Sequence, residues 1–134
     1  MRILIVEDDF ISRKVLEKQL ASYGEVDVTV NGREALGAVR MQLDQGAPYN
    51  LICLDIMMPE MDGQEALREI RAAEKEASIA GLERARIIMT TALNDSKDIL
   101  SSFRDECDGY LVKPIKKQDI KKLFDMLEID PPVQ

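Results

Sequence analysis

The stretch Leu51-Ile-Cys-Leu-Asp55-Ile-Met-Met-Pro-Glu-Met-Asp-Gly63 runs from four apolar residues into a carboxylate and then into a turn. A short apolar run that ends at turn residues is typical of a strand buried on both faces of a parallel sheet. In open parallel sheets, ligands bind outside the carboxyl ends of the strands. Asp55 follows this strand directly and is therefore the first candidate functional residue.

The rest of the chain repeats the same alternation of strand and helix. The other candidate strands are residues 3–6, 26–30, 87–89 and 110–112. Apolar residues recur at helical spacing within 11–20, 36–43, 67–77, 99–107 and 120–127. Asn31 with Glu34 predicts a capping box at the start of the second helix. Five strands alternating with five helices predict an α/β fold, a flavodoxin-like doubly wound (βα)5 arrangement with a five-stranded parallel sheet in the order 2-1-3-4-5.

Composition limits the class of protein. A chain of 134 residues with 46% hydrophobic content fits one domain with a continuous core. A net charge of -7 argues against direct binding to nucleic acid. The apolar runs are too short to cross a membrane and no leader precedes the first strand, so we expect a cytoplasmic protein. The absence of histidine excludes histidine-based catalytic triads and zinc sites with histidine ligands.

A second acidic motif, Glu7-Asp8-Asp9, follows the first strand. In the predicted strand order this motif lies beside Asp55, and grouped carboxylates repel one another unless a cation offsets their charge. Mg²⁺ prefers such oxygen ligands. The predicted metal ligands are Asp8, Asp9, Asp55 and the backbone carbonyl of Met57. The alternative for Asp8 and Asp9 is that they only cap the first helix.

The last two strands also end in polar residues. Strand 4 runs into Thr90-Thr91-Ala92, which brings hydroxyl groups to the same sheet edge, and strand 5 runs into Lys113-Pro114. A carboxylate beside Mg²⁺ can act as a nucleophile towards phosphorus, and a nearby ammonium would stabilise the transferred group. The alternative for Lys113 is a solvated surface lysine. The following proline raises the chance of a cis peptide bond at this position.

Taken in order, Glu7-Asp8-Asp9, Asp55-x-x-x-Pro59-x-x-x-Gly63, Thr90-Thr91-Ala92 and Tyr110-x-x-Lys113-Pro114 resemble the receiver domain of bacterial two-component response regulators, the CheY-like superfamily. The resemblance covers nearly the whole chain. It implies a receiver domain over residues 1–129, followed by a short tail at 130–134. It leaves open whether the receiver is a stand-alone regulator or part of a larger protein.

The resemblance also implies roles for these residues. Asp55 would accept a phosphoryl group, with Mg²⁺, from a sensor histidine kinase or a histidine phosphotransfer protein. Lys113 would contact the phosphoryl group, while Thr91 and Tyr110 would switch the surface of the fourth helix, fifth strand and fifth helix. An unknown downstream protein would read that surface, which also offers a route to a homodimer. Such a domain is not an enzyme beyond its own phosphorylation and dephosphorylation.

Two rival functions share part of this pattern. Phosphatases of the haloacid-dehalogenase type also use a strand-end aspartate and Mg²⁺. Their motif has a second aspartate two residues later, where this chain has Met57. A flavodoxin-like cofactor binder would need a phosphate loop rich in Ser, Thr and Gly, and none is present. The basic residues of the fifth helix indicate either a solvated face or a docking face for an acidic partner or a second copy. They are Lys116, Lys117, Lys121 and Lys122.

Overall fold

The computed structural model describes residues 1–56, 58, 61–79, 83–92 and 107–129. Within these ranges the strands are β1 (Arg2–Val6), β2 (Glu25–Thr29), β3 (Leu51–Asp55), β4 (Arg86–Thr91) and β5 (Gly109–Val112). The helices are α1 (Phe10–Leu20), α2 (Gly32–Asp44), α3 (Gly63–Glu76) and a C-terminal helix (Lys117–Met126). The predicted fourth helix falls almost entirely outside the described residues, as do Met57 and the tail.

The five strands form one parallel sheet in the order β2-β1-β3-β4-β5. This confirms the predicted α/β, flavodoxin-like doubly wound fold. All five residues of β3 are buried, whereas β2 and β5 at the two sheet edges keep exposed positions. Continuous apolar runs therefore mark the strands that helices cover on both faces.

Each face of the sheet has its own apolar core. One core packs α2 and α3 against the sheet, and the other packs α1 and the C-terminal helix against the opposite face. The first includes Leu4, Leu36, Leu54, Leu67 and Ile70. The second includes Ile3, Ile5, Leu16, Cys53, Ile88, Leu111 and Phe124. The carboxyl ends of the strands lie between these two layers of helices.

Side-chain caps define where the helices begin. Asn31 accepts a hydrogen bond from the backbone N–H of Glu34 at 2.8 Å, and the Glu34 side chain accepts one from the Val30 N–H at 3.1 Å. The predicted capping box is therefore confirmed, with the glutamate reaching one residue further back than in the usual motif. Within the described residues, no helix is both long enough and apolar enough to cross a membrane.

Candidate functional site

Three carboxylates meet at the carboxyl ends of β1 and β3. Among the described residues, Glu7, Asp8 and Asp55 each offer an oxygen atom, and these atoms lie within 4.8 Å of one another. Glu7 is fully buried and Asp55 is 4% exposed, whereas Asp8 is exposed to solvent. The group is therefore closed on its inner side and open on the side of Asp8.

Lys113 supplies a positive charge to this group. Its Nζ atom lies 2.6 Å from Glu7 Oε1 and 3.4 Å from Asp55 Oδ2. Burial of the ammonium acts to lower the pKa of Lys113, but the contacts with Glu7 and Asp55 outweigh it and raise the pKa above its usual value. The Lys113–Pro114 peptide bond is cis, as the sequence indicated. Lys113 thus lies against the carboxylates and not free in solvent.

Asp9 does not join the group, which differs from the predicted ligand set by one residue. Its carboxylate accepts a hydrogen bond from the Ser12 N–H at 2.8 Å and caps α1. This hydrogen bond lowers the pKa of Asp9. Glu7 joins the group instead, because it follows Ile3 and Ile5 on the face of the sheet that also carries Asp55, whereas Asp9 lies beyond β1 and caps α1. The sequence signal for Glu7 is its spacing of two residues from Ile5, which predicts the same face of the sheet.

The two predicted switch residues lie on neighbouring strands. Thr91 ends β4, is 1% exposed, and donates a hydrogen bond from its hydroxyl to the Ala92 carbonyl at 3.3 Å. The Lys113 N–H donates to the Thr91 carbonyl at 2.7 Å, so the chain that carries the lysine is tied to the end of β4. Tyr110 lies in β5, is partly buried, and packs against the core beneath α2 and α3. The structure thus brings Thr91, Lys113 and Asp55 to one sheet edge.

The first residue of α3, Gly63, lies too close to Asp55 and Ile56 for any side chain at that position. A Cβ atom on Gly63 would lie 2.4 Å from the backbone oxygen of Asp55, so α3 begins directly against the end of β3. The Gly63 N–H donates to the Ile56 carbonyl at 2.9 Å, and the Ile56 N–H donates to the Thr90 carbonyl at 3.1 Å. Met57 lies outside the described residues, so its predicted carbonyl ligand remains a prediction.

The donor set fits a hard divalent cation. Carboxylate oxygens are the ligands that Mg²⁺ takes in proteins, usually from one or two residues together with several waters. Asp8 is exposed to solvent, so waters have access to this side of the group. Glu7, Asp8 and Asp55 are therefore the residues of the described structure that would hold the ion.

Comparisons with known proteins agree with this geometry. Residues 3–125 match the family model of the response regulator receiver domain. The chain is 39% identical over 124 residues to Hybrid signal transduction histidine kinase L of Dictyostelium discoideum, covering 92% of this chain and 7% of that protein. It is 35% identical over 121 residues to Probable transcriptional regulator ycf27 of Cyanophora paradoxa, covering 90% of this chain and 45% of that protein. The chain thus spans less than half the length of these two relatives.

A solved structure has the same architecture. It is the receiver domain of the histidine kinase CKI1 from Arabidopsis thaliana complexed with Mg²⁺ and BeF3⁻. The two structures superpose with a TM-score of 0.76 at 33% sequence identity, and the match covers 92% of this chain and 89% of that one. The fold of this chain is thus also the fold of a receiver domain that was solved with Mg²⁺ and BeF3⁻.

Proposed function

This chain belongs to the response regulator receiver domain family, and on that premise we propose that Asp55 is the phosphoacceptor of a two-component phosphorelay. A sensor histidine kinase or a histidine phosphotransfer protein would donate the phosphoryl group. The proposal is carried by one observation: Asp55 is buried at a strand end within a group that also holds Glu7, Asp8 and the Lys113 ammonium. The two relatives, a hybrid signal transduction histidine kinase and a probable transcriptional regulator, are signalling and regulatory proteins, which supports a signalling role for this chain.

In the proposed transfer, an oxygen of the Asp55 carboxylate attacks phosphorus. The bond between phosphorus and the donor imidazole nitrogen breaks, and its electron pair stays on that nitrogen. Mg²⁺, when bound, supplies positive charge to the phosphoryl oxygens. Glu7 and Asp8 would hold the ion together with Asp55. The Lys113 ammonium, already 3.4 Å from Asp55, would contact the transferred group as a point charge.

The proposed signal is a shift between two side-chain packings around Thr91 and Tyr110. A phosphoryl group on Asp55 adds a strong hydrogen-bond acceptor beside the end of β4, which attracts the Thr91 hydroxyl. Tyr110, on the next strand, would then move inward and change the surface of the fourth predicted helix, β5 and the C-terminal helix. A downstream protein or a second copy would read that surface. The rival phosphatase activity needs an acid two residues after the nucleophile, and Met57 cannot supply a proton.

The test is a phosphorylation experiment with a small donor. We expect incubation with acetyl phosphate and Mg²⁺ to add the mass of one phosphoryl group to the wild-type protein. Asp55→Ala should abolish this adduct because it removes the nucleophile. Asp44→Ala is the matched control, since Asp44 is the exposed last residue of α2 and precedes the start of β3, away from the carboxylate group.

Mass spectrometry of the intact protein and of its peptides measures the outcome. An adduct that requires Mg²⁺, persists in Asp44→Ala and maps to Asp55 supports the proposal. A wild-type protein that forms no adduct, or an adduct that survives Asp55→Ala, contradicts it.

A further inference from the structure

Thr90 has a buried hydroxyl that forms no hydrogen bond with any residue that the structure describes. Its side chain is 1% exposed. The other two threonines of the chain differ, because the Thr29 hydroxyl donates to the Ile5 carbonyl and the Thr91 hydroxyl donates to the Ala92 carbonyl, each at 3.3 Å. Thr90 is therefore the one threonine whose hydroxyl the described structure leaves unsatisfied.

The position of Thr90 places this hydroxyl beside the phosphoacceptor. Thr90 pairs in register with Asp55 on β3. Paired residues of parallel strands project to the same face of the sheet, and the residues two positions earlier, Ile88 and Cys53, belong to the same apolar core. Lys113 lies two residues beyond Leu111, the partner of Thr90 on β5, and so follows the same face. The hydroxyl thus shares the face that carries Asp55 and Lys113.

Folding alone does not account for this hydroxyl. A buried hydroxyl without a partner costs folding free energy, whereas an apolar group of the same shape at that position would not. Valine has that shape and would pack among the neighbouring apolar residues. A partner in another state of the site would satisfy the hydroxyl, and the neighbouring strand β3 offers the Asp55 carboxylate, which pairs in register with Thr90.

We propose that Thr90 is a positioning residue for Asp55, and this rests on the proposed function. In the described structure the Lys113 ammonium lies 3.4 Å from the Asp55 carboxylate. When Asp55 carries a phosphoryl group or beryllofluoride in the presence of Mg²⁺, which we call the loaded site, the Lys113 ammonium turns towards the phosphoryl oxygens or their analogue. The Thr90 hydroxyl then donates a hydrogen bond to the Asp55 carboxylate in place of the ammonium. Thr90 therefore favours the loaded site over the free one.

Three variants separate the hydroxyl from the shape of the side chain. Thr90→Val keeps the shape and removes the hydroxyl, and Thr90→Ser keeps the hydroxyl and removes the methyl group. Thr90→Ala removes both and provides a second variant without the hydroxyl. The probe is beryllofluoride in the presence of Mg²⁺, which forms an adduct resembling a phosphorylated carboxylate. Its dissociation constant is measured by fluorine NMR, and thermal unfolding without the probe is measured in parallel.

We expect Thr90→Val to weaken beryllofluoride binding about tenfold, because the lost hydrogen bond has a charged or strongly polar acceptor. Thr90→Ala should weaken it by a similar factor, and Thr90→Ser should stay within about twofold of the wild type. Without the probe, Thr90→Val should unfold at the same temperature as the wild type or a higher one. That combination of weaker binding and undiminished stability is not expected of a residue that only packs.

Other outcomes would overturn the inference. Equal binding by the wild type and Thr90→Val would show that the hydroxyl has no role at the site. Weak binding by Thr90→Ser with normal binding by Thr90→Val would show that shape alone matters. A wild-type protein that binds no beryllofluoride would overturn the proposed function itself, and is thereby distinguishable from a failure of the Thr90 proposal.

Discussion

At the residue scale, the charge of the site follows from four side chains. Glu7, Asp8 and Asp55 carry three negative charges and Lys113 carries one positive charge, which leaves two negative charges in the group. One divalent cation neutralises this remainder. The fully buried Glu7 carboxylate is the costliest of the three to leave unpaired, and the Lys113 ammonium 2.6 Å away explains how the free protein tolerates it.

Cys53 gives a residue-scale prediction for alkaline pH. It is fully buried in β3, and burial raises the pKa of its thiol from 9.0 to about 12. Below pH 9 the thiol is neutral in both the folded and the unfolded chain, so its contribution to stability is constant. Above pH 9 the unfolded chain loses this proton first, and stability falls as pH rises towards 12. We expect Cys53 to lower the free energy of unfolding by about 1.4 kcal/mol between pH 8 and pH 10.

Urea unfolding of the wild type and Cys53→Ala, under reducing conditions at both pH values, measures this effect. Burial also raises the pKa of Cys107, but that thiol is present in both proteins and its effect cancels in the comparison. The loss of stability between pH 8 and pH 10 should be smaller in Cys53→Ala by the expected amount. Equal losses in the two proteins would mean that the Cys53 thiol titrates normally in the folded state.

At the element scale, the start of α2 lies against Met61, which precedes α3. A Cβ atom on Gly32 would lie 2.6 Å from the backbone oxygen of Met61 and 2.9 Å from its Cβ atom. Backbone atoms cannot yield as a flexible side chain can, so any larger residue at position 32 would displace Met61. Met61 lies two residues before Gly63, the first residue of α3, so the start of α3 depends on a residue from a different helix.

We expect Gly32→Ala to lower the free energy of unfolding by about 1–3 kcal/mol because it overpacks this contact. It should also raise the Mg²⁺ concentration needed for half-saturation, since Gly63, two residues after Met61, lies directly against Asp55. Gly37→Ala is the matched control in the same helix. A Cβ atom on Gly37 meets nothing within 4 Å, and alanine there should stabilise the protein by up to about 1 kcal/mol.

Chemical denaturation and a Mg²⁺ titration of both variants check the prediction. The idea fails if Gly32→Ala is as stable as Gly37→Ala, because the close approach of Met61 would then carry no energetic cost. It also fails in its second part if Gly32→Ala unfolds more easily but binds Mg²⁺ as the wild type does.

The strands show which parts of the fold could be predicted from the sequence. Every predicted strand is present, because continuous apolar runs and alternation specify buried strands well. β4 was predicted over residues 87–89 and extends over Arg86–Thr91. Thr90 and Thr91 lie beyond the apolar run, but Thr90 pairs with both β3 and β5, Thr91 pairs with β5, and both are buried. Pairing with the neighbouring strands determines where β4 ends, and the local sequence pattern does not predict that pairing.

Prediction of the site from the sequence meets a similar limit. Its place at the carboxyl ends of β1 and β3 followed from the strand order, and so did the presence of Asp55 and Lys113 there. The choice among three consecutive acidic residues did not follow from composition. It depends on where the strand ends and the helix cap begins, which moves Asp9 to the cap and leaves Glu7 with Asp55.

At the scale of the whole molecule, the amino and carboxyl ends of the strands have different polar networks. At the amino ends, away from the site, the buried Glu74 carboxylate contacts Arg71 at 2.6 Å and accepts from the Ala85 N–H at 2.7 Å. Arg71 also contacts Asp108, which accepts from the Ile87 N–H at 2.8 Å. These bonds fix α3 and the starts of β4 and β5 to one another. The strands that carry the proposed switch residues are therefore anchored at one end, and any response to Asp55 is expected at the other.

Global stability offers a test of the carboxylate group itself. An ion that binds only the folded protein stabilises it by about 2.7 kcal/mol at a hundred times its dissociation constant, which raises the Tm of a domain of this size by roughly 10 °C. We expect Mg²⁺ to raise the Tm of the wild type in this way. Asp8→Asn should raise the Tm without Mg²⁺, because one repelling charge is removed, and should lose more than half of the Mg²⁺ response.

Asp9→Asn is the decisive comparison, because Asp9 was predicted as a metal ligand and the structure makes it the cap of α1. Asparagine caps helices as well as aspartate does, so this variant should fold normally. It should also keep the full Mg²⁺-induced rise in Tm, since Glu7 and Asp8 complete the group with Asp55. Calorimetry with and without Mg²⁺, followed by chelation to restore the metal-free Tm, measures both variants. If Asp9→Asn lost the response and Asp8→Asn kept it, the ion would bind on the cap side and the carboxylate group described here would be wrong.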